Sequence, residues 1–314
     1  MSLTPFNYGV SSFGTPVLGG SADPIVGTVF FVDSATGSDT NSGMEPSKAF
    51  ATIDRAVGKC TASKGDIIYV MPNHAETITG AGGITVDVAG VSIIGLGEFN
   101  QRPRVLLDGA LEPTVIVSAA DTLIRNIVFA SGHSDVATCI ELSAVGLWVD
   151  KCEFVQNTTD ENFLTCINAS GTTDGGENGL KVTDCYEYQV DASTSSLITV
   201  AADVTGFIAT GNVIITGGVT TALIILATGK DLKGCFIAWN FCQTAGAEGA
   251  NLFISCDTTG VNNAGIIAHN RIGHADTTST HIIGAVAGAR FFDNLSTSVT
   301  NASGFVLPAA DTNG

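Results

Sequence analysis

Two aspartates are placed so that they could carry out general acid–base chemistry together. Asp150 and Asp184 each stand shortly before a cysteine, Cys152 or Cys185, in two segments of similar pattern. Glycosidases use two carboxyl groups that flank the scissile bond at roughly 5 to 9 Å from each other. If the two segments stack on each other, Asp150 and Asp184 could form such a pair on one face of the fold.

The groups that would complete a catalytic site are scarce in this chain. Its 30 acidic residues are set against 13 lysine and arginine residues, and no aspartate cluster with a facing arginine stands out. The eight cysteines and five histidines do not show the spacing of a zinc site. We therefore predict a non-enzymatic protein with no cofactor and no metal, and keep Asp150 and Asp184 as the alternative.

The net charge of −17 argues against several classes of partner. Nucleic acids and anionic membranes are bound mainly through lysine and arginine, so we expect neither as a partner. The longest uninterrupted apolar stretch is residues 222–227, far short of the ~20 residues that a membrane-spanning helix needs. The first ten residues lack the pattern of a secretory signal, and most cysteines fall within apolar segments. These features predict synthesis in the cytoplasm, with buried and unpaired thiols.

Two tracks of residues recur along the chain at nearly the same interval. In the first track, an apolar residue and two variable residues precede a position that is cysteine or asparagine in most copies. This position falls at Ile127, Cys152, Cys185, Asn212, Asn240, Asn270 and Asn294, at intervals of 24 to 33 residues. The second track is a series of short apolar segments at intervals of 23 to 31 residues. Their centres are Ile116, Ile140, Ile167, Ile198, Ile224, Phe253, Ile282 and Phe305.

A repeat of this length predicts a solenoid of stacked coils. Each coil would hold two or three short strands and could bury its apolar residues only against the next coil. Stacking at ~4.8 Å forms continuous parallel sheets around one core and places equivalent side chains above one another. We therefore predict a structural ladder along the stack, with hydrogen bonds between asparagine amides. Its members are Cys152, Cys185, Asn212, Asn240, Asn270 and Asn294. The alternative is a β-sandwich, but sandwiches favour hairpin turns at shorter spacing.

The part of the chain before the coils predicts an arm and a cap. Residues 1–27 are rich in glycine and proline and show no periodicity, so we expect an extended N-terminal arm. Residues 28–80 predict a cap of strand, helix and strand, followed by β-helix coils over 81–307 and a C-terminal tail over 308–314. The helix begins at Pro46, and its apolar residues at helical spacing are Phe50, Ile53, Val57 and Cys60.

Three runs of the cap carry a resemblance to known proteins. They are VDSATGSDTNSG (32–43), AFATIDRAV (49–57) and GDIIYVMPNHAETI (65–78). Together they resemble the opening of the pectin-lyase-like right-handed β-helix proteins. This resemblance implies an all-β, single-stranded right-handed parallel β-helix with an N-terminal amphipathic capping helix. The superfamily includes lyases, hydrolases, epimerases, phage tailspikes and virion surface proteins, so the resemblance implies a fold more than an activity.

The short coils and the Gly-, Thr- and Ala-rich composition are most similar to the phage structural members of that superfamily. The resemblance implies a bacteriophage head decoration or cement protein on the capsid surface, with the major capsid protein or another virion protein as its partner. A trimeric homo-oligomer is implied by analogy. We expect the arm to dock through Phe6, Tyr8 and Phe13. The alternative is a phage tailspike or a glycan-binding protein of the polysaccharide lyase or hydrolase kind. Trp148 and Trp239 are the candidates for its aromatic platforms, and they are equally consistent with a subunit interface.

Overall fold

Three long parallel sheets make up most of the structure, a computed structural model. It describes residues 10–12, 15–17, 27–109, 113–158, 161–171, 176, 178–189, 196–217, 224–226, 230–244, 253–255, 264–274, 288–297 and 304–305. The strands are numbered β1 to β30 in chain order. A complete coil contributes one strand to each sheet in turn, and each strand pairs with its equivalent on the next coil.

The first sheet runs the length of the stack. Its strands are β3 (Val29–Val32), β4 (Ile67–Val70), β7 (Ser92–Gly95), β10 (Leu123–Arg125), β13 (Trp148–Asp150), β16 (Lys181–Thr183), β20 (Ile208–Thr210), β23 (Leu232–Ala238), β26 (Ala264–Ala268) and β28 (Ala289–Phe292), with β19 (Val204–Thr205) beside β23.

The second sheet follows the first along each coil. It contains β5 (Ala75–Ile78), β8 (Arg104–Leu107), β11 (Val128–Ser131), β14 (Glu153–Gln156), β17 (Tyr186–Gln189), β21 (Val213–Thr216), β24 (Phe241–Thr244), β27 (Arg271–His274), β29 (Leu295–Thr297) and β30 (Gly304–Phe305). The third sheet contains β6 (Ile84–Val86), β9 (Val115–Val117), β12 (Ile140–Leu142), β15 (Thr165–Ala169), β18 (Ser196–Val200), β22 (Ile224–Leu226) and β25 (Ile254–Ser255).

The core is built from rows of equivalent apolar residues. Alternate residues of a strand point inward, and the parallel register places the inward residues of successive coils above one another. Each fully buried valine or isoleucine side chain in such a row contributes about 1.5 to 3 kcal/mol to stability. In the first sheet the buried row is Ile68, Ile93, Ile124, Val149, Val182, Ala209, Ile237 and Ile267. The predicted all-β parallel β-helix is confirmed.

The register corrects three positions of the second repeated track. Ile140, Ile167, Ile198 and Ile224 do share one inward row of the third sheet. The members of this row on β9 and β25 are Val115 and Ile254, each one residue away from the predicted Ile116 and Phe253. Phe305 does not continue the row, because β30 pairs antiparallel with β29 of the second sheet. Ile282 lies outside the described residues.

A bend with left-handed backbone joins the first sheet to the second on seven coils. One residue of each bend has φ between 46° and 69°, and on the first six of these coils its N–H donates to a carbonyl of the following coil. We call these residues the corner column. They are Asn126, Lys151, Asp184, Gly211, Trp239, His269 and Asp293. The next residue of each coil turns inward and is the first-track residue, buried in every copy.

The predicted capping helix is shorter than expected. A 3-10 turn covers Pro46–Lys48, and helix α1 covers Ile53–Val57. The helix cannot start at Pro46, because Phe50 pairs with Val32 in a β-bridge and holds the intervening backbone extended. Helix α1 begins instead after Thr52, whose side chain accepts a hydrogen bond from the N–H of Arg55.

Helix α1 lies at the N-terminal end of the stack and contacts β3, β4 and β6. Its Ile53, Ala56 and Val57 join the core. The carboxylate of Asp54 accepts from the backbone N–H of Thr85 in β6, the first strand of the third sheet. The helix therefore provides an acceptor for a backbone N–H at the edge of the third sheet, which limits pairing of that edge with another chain.

Among the described residues of the predicted arm, β1 (Val10–Ser12) pairs antiparallel with β2 (Thr15–Val17). Phe6, Tyr8 and Phe13 lie outside the described residues, so the docking role of the arm stays a prediction. No helix within the described ranges is long and apolar enough to cross a membrane.

The thiols in the described part of the chain are unpaired, as expected. Cys139, Cys152, Cys166, Cys185, Cys235 and Cys242 are buried, and Cys60 is partly exposed. They pack in the core as small apolar side chains.

Candidate functional site

Asp150 is held in a closed polar network on the first sheet. Its Oδ2 accepts from Nε of Arg125 at 2.7 Å, and its Oδ1 accepts from the hydroxyl of Thr183 at 2.6 Å. The same hydroxyl accepts from the indole N–H of Trp148 at 2.7 Å, and the Arg125 guanidinium lies 5.2 Å from the Trp148 ring centre. Asp150 is 4% exposed. With both oxygens engaged, this carboxylate is placed to orient Arg125 rather than to accept a proton from a ligand.

The predicted pairing of Asp150 with Asp184 is wrong in register. The residue opposite Asp150 on the next coil is Thr183, and Asp184 belongs to the corner column beside it. The similarity of the two segments was misleading, because Asp150 stands two residues before its cysteine and Asp184 only one. Asp184 is exposed, and its carboxylate leans over Gly211 of the following coil, away from Asp150.

The asparagines of the first track form a continuous hydrogen-bonded ladder. In Asn212, Asn240 and Asn270, the Nδ2 donates to the Oδ1 of the next asparagine at 2.8–2.9 Å, and the backbone N–H donates to the same oxygen. Asn294 ends the ladder within the described coils. Cys152 and Cys185 occupy the same position, and the backbone N–H of Cys185 donates to Asn212 Oδ1. This buried ladder supports the bend that carries the corner column, of which Lys151, Asp184, Trp239 and Asp293 are exposed.

A surface cleft lies beside the start of the corner column. Its volume is about 670 Å³, within the range of small-ligand sites. We call it the Arg102 cleft. The residues that line it are Gly95, Gly97, Glu98, Phe99, Arg102, Arg125, Asn126, Lys151 and Glu153.

Three of the 13 basic residues of this acidic chain line the Arg102 cleft. The Arg102 side chain is 10% exposed and pairs with the carboxylate of Glu153. Its Nη2 donates to the carbonyl of Lys151 at 2.6 Å, while its buried Nε has no hydrogen-bond partner among the described residues. The Lys151 side chain is exposed, and no ion pair holds it in the described part of the chain. Lys151 is therefore the cation of this cleft that has no ion pair in the described part of the chain.

Phe99 is an exposed aromatic at the rim of the Arg102 cleft. It is 88% exposed, and its backbone φ of 52° lies in the left-handed region. A non-glycine residue pays about 1–2 kcal/mol for that conformation, and the exposed ring gains little from the hydrophobic effect. Strain that the core does not need is typical of a site with another use.

Sequence reasoning did not find the Arg102 cleft. Phe99 and Arg102 stand in the connection between β7 and β8, outside both repeated tracks, and only the tertiary fold brings them to Lys151. The corner column did leave a signal, because the residue before each first-track position is often Asn, Asp or Gly, which favour left-handed backbone. His269 also belongs to this column.

The described residues contain no group of three or more His, Cys, Asp or Glu side chains that could hold a metal ion. The cations of the Arg102 cleft suit a ligand with a negative group.

Comparison with known proteins adds only a likeness of fold. No family model matches the sequence, and no curated protein does. The chain is similar to a solved structure described as "Rhamnogalacturonan lyase", over 86% of this chain and 74% of that chain, at 15% identity and a TM-score of 0.43. The chain is a parallel β-helix. That statement rests on its own strand register, and an activity does not follow from a likeness at this level.

Proposed function

We propose that this β-helix binds an acidic saccharide in the Arg102 cleft, without turning it over. The observation that carries the proposal is the exposed Lys151 ammonium beside the buried Arg102 guanidinium, at a cleft with the exposed Phe99 on its rim. Saccharides are recognised by hydrogen bonds to polar groups together with packing of a ring against an aromatic side chain. The Arg102 cleft offers both.

The acidic group of the ligand is assigned to Lys151. Each of the two arginines of the cleft has a carboxylate partner, Glu153 for Arg102 and Asp150 for Arg125. Lys151 can therefore pair with a carboxylate of the ligand without breaking an existing ion pair. The rest of the chain is strongly acidic, so a ligand with isolated acidic groups among neutral sugars fits better than a dense polyanion.

Binding is favoured over turnover because the carboxylates nearest the Arg102 cleft are engaged. Asp150 accepts from Arg125 and Thr183, and Glu153 pairs with Arg102. A carboxylate that acts as a general base must be able to reach a proton of the ligand. Glu98 is the further carboxylate that lines the cleft, and a single carboxylate is not the pair that glycosidic hydrolysis uses.

A glycan array that carries acidic, neutral and mixed saccharides tests this function. We expect binding to saccharides that contain a uronic acid or another acidic sugar, and a loss of about tenfold or more in Lys151→Ala, since a charge-assisted hydrogen bond contributes about 1.5–3 kcal/mol. Lys64→Ala removes another exposed lysine, between α1 and β4, and is the matched control.

Two results would overturn the proposal. One is binding to no acidic saccharide on the array. The other is release of reducing or unsaturated ends from a bound acidic polysaccharide, which would show turnover. If that release also disappeared in Glu98→Gln, the cleft would be an active site with Glu98 as its acid or base.

A second candidate function is a structural role in a bacteriophage virion, as the sequence resemblance implies. The observation that favours it is a set of exposed apolar side chains on late coils, Phe241, Ile266 and Phe292. Exposed apolar groups of this kind are found at protein interfaces. Copurification with phage particles at many copies per head, lost when residues 1–27 are deleted, would support attachment of the arm to the capsid protein. A protein absent from purified particles would reject this role.

A further inference from the structure

Tryptophan at position 239 lowers the stability of the fold. It stands in the corner column with φ of 56°, where a non-glycine residue pays about 1–2 kcal/mol. Its side chain is 59% exposed, so burial of the ring offsets little of that cost. The same position on the preceding coil is Gly211, which adopts this backbone without strain. A tryptophan retained under these conditions points to a contact outside the chain.

The ring of Trp239 is positioned by two neighbouring rings. Its plane lies within 9° of the His269 ring, with the ring centres 5.8 Å apart, and the Phe236 ring meets it edge-on at 5.5 Å. His269 is in turn fixed by Asp293, whose Oδ2 lies 3.0 Å from the imidazole Nδ1. The orientation of the indole is therefore set before any ligand arrives, which lowers the entropy cost of binding.

The other side of the indole faces the preceding coil, where the column has no side chain. Trp239 stacks on His269 of the following coil, so its second face is turned toward the coil of Gly211. A Cβ at Gly211 would collide with the Asp184 carboxylate, which shows that this carboxylate leans over the glycine. An exposed carboxylate thus lies over the Gly211 backbone, one coil before the exposed indole ring.

We propose that Trp239, Gly211 and Asp184 form a binding subsite for a neutral sugar ring. The indole face packs against the C–H groups of the sugar, and the Asp184 carboxylate accepts hydrogen bonds from its hydroxyls. The negative charge of Asp184 disfavours an acidic sugar here, the opposite of the preference at Lys151. This subsite goes beyond the Arg102 cleft and stands on its own residues.

The subsite and the Arg102 cleft lie along the same edge of the β-helix. Lys151 and Trp239 belong to the same column, three coils apart, which corresponds to ~14 Å at the spacing of paired strands. A glycan that runs parallel to the stack can place an acidic sugar at Lys151 and a neutral sugar at Trp239. The two sites then bind one glycan that contains both acidic and neutral sugars, and its affinity exceeds that of either site alone.

Fluorine NMR of the full chain labelled with 5-fluorotryptophan tests the subsite. The protein has two tryptophans, so the spectrum has one signal from Trp239 and one from Trp148, assigned with Trp148→Phe. The probes are the methyl glycosides of glucose, galactose, rhamnose and N-acetylglucosamine. We expect at least one of them to shift the Trp239 signal in a saturable way and to leave the Trp148 signal in place.

Variants separate binding from folding. Asp184→Asn keeps the size of the side chain, and we expect it to weaken binding of that methyl glycoside about tenfold, since hydrogen bonds to charged groups contribute about 1.5–3 kcal/mol. Trp239→Gly suits the left-handed backbone and should stay folded while losing binding, as measured by calorimetry. Tyr188→Ala removes another exposed aromatic, away from the corner column, and should bind normally.

The proposal is overturned if none of the four glycosides shifts the Trp239 signal, or if both tryptophan signals move together. It is also overturned if the Trp239 signal responds to protein concentration instead of sugar, because a second copy of the chain would then cover the ring. If the Arg102 cleft does not bind acidic saccharides, the result is different. The Trp239 signal then still responds to the neutral glycoside, and Lys151→Ala leaves this response unchanged.

Discussion

The Nδ2 of Asn240 donates to the Oδ1 of Asn270 at 2.9 Å, across a sequence separation of 30 residues. The same oxygen accepts the backbone N–H of Asn240 at 3.1 Å, and the Nδ2 also donates to the carbonyl of Ala209. One amide therefore satisfies groups on both neighbouring coils in a place that water does not reach. Buried polar groups are costly when unpaired, so the ladder couples the coils strongly.

Removal of one amide from the middle of the ladder should be strongly destabilising. In Asn240→Ala, the backbone N–H and the Nδ2 of Asn212 lose their acceptor, and the carbonyl of Ala209 loses a donor. We expect the free energy of unfolding to fall by about 3–5 kcal/mol, measured by denaturant titration. The exposed Asn100→Ala is the control and should change it by less than about 0.5 kcal/mol. Equal effects of the two variants would contradict the ladder.

Extension of the ladder into the cysteine coils should stabilise the protein. The Cys185 Sγ lies 3.7 Å from the carbonyl of Val149, the place where an asparagine Nδ2 donates on later coils. In Cys185→Asn we expect a hydrogen bond to Val149 and a gain of about 1 kcal/mol. Cys185→Leu, which is apolar and cannot donate, should give no gain. A loss of thermal stability in Cys185→Asn would show that the cysteine coils differ in shape.

The left-handed backbone at Lys151 should favour glycine over alanine. Alanine at this position keeps the unfavourable φ of 53°, while glycine relieves it at the cost of a more flexible unfolded chain. We expect Lys151→Gly to be about 0.5–1 kcal/mol more stable than Lys151→Ala, measured by thermal unfolding. Both variants should lose binding of the acidic saccharide. Equal stability of the two would mean that the bend relaxes when the lysine is removed.

The buried thiols should resist alkylation in the folded protein. Burial raises the pKa of Cys152 to about 12 and of Cys235 to about 11, so thiolate forms only as the pH approaches those values. Cys60 is only partly buried, yet this partial burial and, less strongly, the charge of Asp66 raise its pKa to about 12 as well. Iodoacetamide at pH 8, followed by peptide mapping, should leave all three unmodified until denaturant is added. Rapid labelling of Cys152 in native buffer would show that the coil opens.

Asp293 should titrate below its ordinary pKa of 3.8. Hydrogen bonds first from His269 and then from Arg271 lower the pKa of this carboxyl. A carboxyl with a lowered pKa stabilises the fold above its ordinary value and loses that contribution as the pH falls through the lowered one. Carboxyl carbon NMR should give a midpoint below 3.8, and His269→Ala should raise it more than Arg271→Ala. An unshifted midpoint in the unmodified protein would show that His269 is not held by Asp293.

The fold could be predicted because stacking repeats one physical requirement many times. Each coil needs an inward residue at the bend and an inward apolar row, so Asn212, Asn240, Asn270 and Asn294 stand out by spacing alone. An offset of one residue between two similar segments is not apparent from the sequence. Asp150 and Asp184 seemed equivalent because both precede a cysteine, yet a shift of one residue moves a side chain to the other face or into a bend.

The candidate sites could not be predicted in the same way, because they depend on departures from the repeat. Phe99 and Arg102 come from an irregular connection whose path no period describes. The suitability of Trp239 as a binding residue depends on the absence of a side chain at Gly211, one coil earlier. It also depends on the direction in which the Asp184 carboxylate points. Such relationships exist only between coils and cannot be seen in one segment of sequence.

The corner column has a consequence for how this protein can change over evolution. Most of its side chains point away from the core, and the first-track residue beside it is buried in every copy. A mutation there can alter recognition without disturbing the packed core, and its effect on stability is limited to the about 1–2 kcal/mol that left-handed backbone costs a non-glycine residue. The column is a linear series of positions at a pitch of ~4.8 Å, along which new specificity can be acquired one coil at a time.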